Sequence, residues 1–253
     1  MKPKKASQQV VYGINAVASV LQRAPDRVMI VYIQENLGRE RTARLTRQLD
    51  GCSVEVQRCD PAHLDQLTDT SKHQGVAALI RQVPPLDEPG AREYVKDLQQ
   101  PLLLVLDGVQ DPRNFGACLR TADAAGVDLV VTARNRNVGI TPAVSKVASG
   151  AAEVQPVAQV GNLARFLDFL RAQGLWVIGA DEHATDTVFK LDLDRPVAVV
   201  LGSEGKGLRR LTRERCDMLM RLPMHGAVES LNVSVAAGIC LYECQRQRGG
   251  GGV

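Results

Sequence analysis

The sequence predicts a two-domain α/β protein whose second half is a mostly parallel sheet with helices on both faces. Three observations predict it. Apolar runs at 102–106, 197–201 and 218–222 are too short for helices and too continuous for half-exposed strands, so they read as strands buried on both faces. These runs alternate with segments of helical period, such as 162–173, where Leu163, Phe166, Leu167 and Leu170 share one face. A crowd of prolines and a glycine at 83–90 separates this pattern from a smaller α/β pattern before it.

In chain order, Tyr12-Gly13-Ile14-Asn15 leads into a helix through Ala16, Val17, Val20 and Leu21 that stops near Pro25. Residues 27–34 and 53–59 alternate as strands, 39–49 form a helix with an exposed basic face, and 61–70 and 76–80 add a short helix and a strand. This unit, 1–82, gathers no acid, base and nucleophile, and suits a binder better than a catalyst. Residues 83–100 are expected as a linker with a helical bridge at 91–99. The second domain, 101–248, continues with a helix at 114–125 closed by Gly126 and a strand at 129–132. A further helix, with Thr141 as N-cap and Pro142 at its first position, runs to 152. The helix at 162–173, a strand at 175–179 and the two C-terminal strands follow. Residues 249–253 are expected as a disordered glycine-rich tail.

At 253 residues the chain can bury two real cores, and it contains no stretch of membrane-spanning length. Lys2, Lys4 and Lys5 are not followed by an apolar run, which points to the cytoplasm. The six cysteines are scattered, and Cys240 and Cys244, one helical turn apart, read as packed thiols. The four histidines form no ligand pattern with them, so no metal is expected. A net charge of +3 decides little by itself. Its distribution says more: Arg113, Arg120, Arg134, Arg136 and Lys146 fall in one acid-poor segment, while Lys2, Lys4, Lys5, Arg246 and Arg248 make basic ends. Such clusters fit RNA or a merely solvated face.

The chemistry concentrates where the run at 197–201 empties into Gly202-Ser203-Glu204-Gly205-Lys206-Gly207. Gly202 and Gly205 enclose two residues where a P-loop has four, and Gly207 stands where that loop needs Ser or Thr for magnesium, so a nucleoside triphosphate does not fit. Three glycines do permit close backbone approach to a flat ligand such as an adenine ring; a plain strand-to-helix turn is the alternative. Two other loops leave the sheet rich in polar groups, Asp107 to Gly116 with Arg120 beyond it, and Ser230-Leu231-Asn232.

These three stretches, 114–120, 201–207 and 222–234, closely resemble the ordered motifs of the SpoU family of RNA ribose 2′-O-methyltransferases, within the SPOUT class. Val11-Tyr12-Gly13 and His73-Gln74-Gly75-Val76-Ala77 look like the start and end of the substrate-binding domain of the bacterial 23S rRNA guanosine-2′-O-methyltransferases, whose fold is like that of certain RNA-binding ribosomal proteins. The resemblance implies a C-terminal trefoil knot, S-adenosylmethionine as methyl donor, 23S rRNA as substrate and a homodimer with its site near the subunit interface. It carries cofactor contacts onto Leu201, Gly202, Gly205, Leu222, Pro223 and Leu231, with Ser230 and Asn232 beside them. It makes Arg120 essential, with Asn114, Glu204, Ser230 and Asn232 around it. From the basic segment, Arg113 and Lys146 are expected against RNA, with a merely solvated side chain as the alternative for Lys146.

Arginine almost never deprotonates, so two roles for Arg120 stay open. Either the RNA phosphate helps it accept the ribose proton, or it remains cationic and steadies the developing alkoxide. Bland readings stay open too: Glu204 paired with Lys206 or Arg209, and Asn114 as a helix N-cap. Asp107 and Asp111 read as turn-shaping residues, Cys118 as packing and Trp176 as core. The function expected is 2′-O-methylation of a 23S rRNA guanosine. The alternatives are methylation of a tRNA ribose, or a non-catalytic RNA-binding assembly factor.

Overall fold

The computed structural model describes residues 8–135 and 137–249. Lys2, Lys4, Lys5, Arg136 and the glycines past Gly249 lie outside the described residues, as do the side chains of 39–42 and 44. The chain divides into two compact units, one reaching Pro84 and including Ser149–Val154, the other comprising Pro85–Ala148 and the chain from Gln155 onward.

The first unit runs β1 (Gln8–Tyr12), α1 (Ile14–Arg23), β2 (Val28–Gln34), α2 (Arg39–Leu49), β3 (Glu55–Cys59), α3 (Pro61–Thr68) and β4 (Val76–Arg81). Its sheet has the order β1-β4-β2-β3, with β4 antiparallel to both neighbours and β3 parallel to β2. Val17, Val20 and Leu21 of α1 pack on Val31, Ile33, Ala78 and Ile80. Strand β1 was not expected, because five residues ending at Tyr12 carry too little pattern; it pairs from Gln8 with Arg81 to Tyr12 with Ala77. The entry to β4 is tied down locally. Buried His73 accepts the Gly75 N–H through Nδ1 at 2.9 Å, and Gln74 Oε1 accepts the Ile14 N–H at 3.0 Å. Helix α3 starts at Asp60, whose side chain accepts the His63 N–H, and stops where Asp69 turns left-handed at φ 52°, short of the expected 70.

The second unit opens on α4 (Glu88–Lys96), capped by Asp87, whose carboxylate accepts the Gly90 N–H at 2.9 Å. The proline-rich stretch therefore does not exclude a helix at its end, since Pro89 falls in the first turn, where no intrahelical N–H is needed. Nor is 85–100 a free linker. Leu86 donates its N–H to Val157 and accepts that of Gln159, while Ala91 and Val95 are buried in the core of this unit.

The chain continues through β5 (Leu102–Asp107), α5 (Pro112–Ala124), β6 (Leu129–Ala133) and α6 (Pro142–Ala148). The helix expected to reach 152 breaks at Ser149 and Gly150, which adopt φ 53° and 97°, and α7 (Ala151–Val154) is grouped with the first unit. Then come β7 (Val157–Val160), α8 (Leu163–Ala172), β8 (Trp176–Ala180), β9 (Asp186–Thr187), β10 (Val197–Gly202), α9 (Arg210–Glu214), β11 (Met218–Arg221) and α10 (Val233–Arg248).

These strands form one sheet in the order β7-β6-β5-β10-β8-β11-β9, parallel at every pairing. Helices α4 and α8 cover the face of Leu103, Val105, Ala198 and Val200. Leu104, Leu106 and Val199 point the other way and are equally buried, on the side where α10 packs against β10 and α5. Helices α5 and α6 touch closely at Gly116, where a Cβ would lie 2.7 Å from the Val144 carbonyl oxygen.

Two expectations fail here. Trp176 is not core: it stands at the start of β8, 38% exposed, with the Arg195 guanidinium 4.0 Å above its ring. Arg246 and Arg248 are not a free basic end either. Arg246 grips buried Glu243 at 2.7 Å, and Arg248 donates to the carbonyls of Gln100, Pro101 and Arg195.

Candidate active site

In a parallel sheet every strand delivers its C-terminal end to the same edge, and ligand sites form outside that edge. Adjacent β10, β8 and β11 lead there into three loops, 203–208, 181–184 and 222–231, which enclose a cavity of 320 Å³. That falls within the range of roughly 300–1,000 Å³ usual for small-molecule sites. Leu201, Leu208, Met220, Leu222, Leu231 and Val233 give it apolar walls, and Asp181, Glu182, Glu204 and Glu229 outnumber Lys206 and Arg221 among its charged groups.

The glycine loop folds back on itself. Ser203 and Gly207 exchange N–H to carbonyl bonds of 3.2 and 3.0 Å, which brings the chain at Gly207 and Leu208 across Gly202. A Cβ on Gly202 would sit 2.1 Å from the Gly207 carbonyl carbon. Only glycine fits, and main chain rather than side chain faces the cavity there.

Beside the cavity, Asn232 joins three distant segments. It caps α10, with Oδ1 accepting from the Ser234 N–H at 2.9 Å and from the Ser234 hydroxyl at 2.6 Å. Its Nδ2 donates to Asn114 Oδ1 at 2.9 Å and to Glu204 Oε1 at 2.7 Å. Both neighbours of Nδ2 are acceptors and both neighbours of Oδ1 are donors, so the amide can face only one way. Asn114 stands in the first turn of α5 because Asp111 is the N-cap, accepting from the Arg113 and Asn114 N–H groups, with Pro112 at the first position. The helix therefore begins two residues before the expected 114, and Asn114 is not its cap. Glu204 binds neither Lys206 nor Arg209 by an ion pair. Arg209 is engaged with Asp107, whose buried carboxylate accepts the Arg209 backbone N–H at 3.1 Å and its Nε at 2.5 Å.

Of the expected cofactor contacts, Leu201, Gly202, Gly205, Leu222, Ser230 and Leu231 line the cavity, while Pro223 and Asn232 do not. Arg113, Arg120 and Lys146 are exposed on α5 and α6, and none of them lines the cavity of its own chain. Cys118 is fully buried, and burial, then the charge of Glu204, pushes its thiol up to about 12, so it is no nucleophile.

Against known proteins, residues 101–242 match the model of the SpoU rRNA Methylase family. The chain belongs to this family. Residues 10–86 match a second model, RNA 2'-O ribose methyltransferase substrate binding. Among individual SpoU relatives, the 23S rRNA (guanosine-2'-O-)-methyltransferase RlmB of Coxiella burnetii is 48% identical over 94% of this chain and 95% of its own. RlmB of Vibrio parahaemolyticus is 45% identical over 96% and 98%. The fold matches the crystal structure of the SpoU methyltransferase AviRb from Streptomyces viridochromogenes, with a TM-score of 0.75 over 98% of this chain and 93% of that one at 24% identity.

The SpoU motifs do not include the turn after β8. Asp181, Glu182 and His183 line the cavity, yet sequence reading missed them. The available signal was a cluster of charged residues directly after the apolar run at 175–179, at the same strand ends as the motif loops.

Proposed function

We propose that the chain transfers the methyl group of S-adenosylmethionine to the ribose 2′-oxygen of a guanosine in 23S rRNA. The observation that carries this is the bridge from Asn232 to both Asn114 and Glu204, directly beside a cavity walled by main chain. The names borne by relatives at 48% and 45% identity over nearly the whole chain support the substrate, and the match over residues 10–86 supports an RNA-holding role for the first unit.

The cavity suits the cofactor. The main chain around Gly202, Leu222 and Leu231 is available to a flat heterocycle, apolar walls suit its faces, and an excess of carboxylates suits a cation. When bound, S-adenosylmethionine supplies a methyl group on a positive sulfonium, open to in-line attack. The protein must then hold the ribose oxygen in line and see its proton removed. Glu204 and Asn114, oriented by Asn232, fix the polar rim where the ribose would lie. Arg120, two turns along α5 from Asn114, is the group assigned to the proton or to the alkoxide and phosphate.

The reading includes a homodimer, the family's knot and a cytoplasmic site of action. Helix α10 supports the first: Val235 and Tyr242 are each at least half exposed, with half-buried Ile239 between them at helical spacing, and α5 packs alongside, Thr121 against Gly238. Pairing across this face would give Arg120 a partner's cavity to serve. Among the described residues no helix is long and apolar enough to cross a membrane.

The test is a map of 2′-O-methylation in cells lacking the gene, repeated with Arg120→Ala restored. One guanosine of 23S rRNA should lose its mark and not regain it. A lost tRNA mark would shift the substrate, and no lost mark would overturn the reading.

A further inference from the structure

We infer that Asp181 is a positioning residue for the cofactor, acting through the turn that it fastens at the mouth of the cavity, with Arg213 as its anchor. The inference rests on the cavity being the methyl-donor site.

The turn 181–184 is held at four points, all involving Asp181. Its N–H donates to the Met220 carbonyl at 2.8 Å, continuing the pairing of β8 with β11 one residue past the strand. Its carbonyl accepts the Ala184 N–H at 3.1 Å, closing the turn. Within the side chain, Oδ1 accepts the His183 N–H at 2.9 Å and Oδ2 accepts Arg213 Nε at 2.6 Å. The carboxylate is only 13% exposed, and Arg213 comes from α9, a separate element.

The next two residues, Glu182 and His183, line the cavity and are themselves largely exposed. Among the described residues the backbone of Glu182 and His183 makes no other hydrogen bond, so the place of this wall depends on the Asp181 carboxylate together with the two main-chain bonds of the same residue. A wall held in one arrangement binds its ligand without first having to be selected; one that wanders lowers apparent affinity by the fraction of time it is misplaced. Nothing in this chain of contacts reaches Asn232, Asn114 or Arg120, so the chemical step should not depend on it.

The experiment is calorimetric titration of the full chain with S-adenosylmethionine, using wild type, Asp181→Asn, Arg213→Gln, the double variant and Arg213→Lys, beside initial rates on rRNA and thermal melts. Each single variant is expected to weaken cofactor binding about fivefold, with KM for the cofactor rising to match and kcat within about twofold. The double variant should be no worse than the weaker single one, and Arg213→Lys should recover part of the affinity. The inference is overturned if Asp181→Asn binds as wild type, if the loss falls on kcat, or if the two substitutions add. Variants that lose affinity only in step with their melting temperature would reduce Asp181 to a stability residue and overturn it as well. Wild type failing to bind would sink the cavity assignment itself, and this inference with it.

Discussion

Replacing Gly202 by alanine tests the central claim about the glycine loop, that main chain lies against main chain there. The new Cβ would meet the Gly207 carbonyl carbon at 2.1 Å, its oxygen at 2.2 Å and the Leu208 nitrogen at 2.4 Å. All three are backbone atoms, so no side chain can swing aside, and the segment must retreat by about 1 Å. That movement breaks the reciprocal Ser203 and Gly207 bonds, worth about 1 kcal/mol each, on top of about 1–3 kcal/mol for overpacking. A cost of about 3–5 kcal/mol, taken up by a displaced loop, corresponds to cofactor binding weaker by roughly 100-fold or more. If the retreat instead spreads into β10 and leaves the cavity wall where it was, the same cost appears as a melting temperature lower by several degrees. Titration with S-adenosylmethionine and a thermal melt distinguish the two. An alanine variant that binds within threefold of wild type and melts at the same temperature would refute the packing argument.

Other substitutions probe the remaining parts. Arg120→Ala should cut the methylation rate by about 10³ while cofactor affinity holds, because its assigned part is toward the ribose and phosphate rather than the cofactor; an equal loss in a binding titration would contradict this. Arg120→Lys separates a special guanidinium from a simple charge, and near-full activity would argue against the former. Asn232→Asp keeps the cap on Ser234 but replaces the amide donor to Glu204 and Asn114 by a second carboxylate, so the methylation rate should fall by at least about tenfold. A rate within twofold of wild type would show that the contact is unimportant. The hydrogen bond from Arg92 holds the Glu88 carboxyl below its usual value of 4.5. Its contribution is therefore complete above that value and lost as pH falls through the lower folded one. Glu88→Gln should be less stable than wild type at pH 7 by less than about 1 kcal/mol in a denaturant titration, with the difference vanishing in acid. Cys118 and Cys240, both pushed up to about 12 by burial, should resist iodoacetamide at pH 8 until the protein is denatured.

The sheet of the second unit could be read because β5 and β10 lie in its middle and need apolar side chains on both faces. Strands β7 and β9 escaped notice for the opposite reason: they are edges of four and two residues, too short to show a period. Local chemistry overrode pattern where Pro89 opened a helix and where left-handed Ser149 ended one. At the site, a loop's residue types can be recognised without knowing what they touch. Asn232 has the same letters around it whether or not it reaches Asn114, 118 positions away. Asp107 looked like a turn residue because its partner Arg209 is 102 positions off, and such a pairing follows from strand order rather than from neighbouring sequence.

Every residue lining the cavity falls between Ala180 and Ala236, in the last third of the chain. Translation therefore finishes the strands β1 to β4 of the first unit long before any wall of the cavity exists, and domains commonly fold as they emerge. A chain cut short before Asn232 would still carry the residues of that early sheet while lacking both α10 and the residue that joins the later loops. If the first unit holds RNA, as proposed, such fragments would occupy it without the means to modify it.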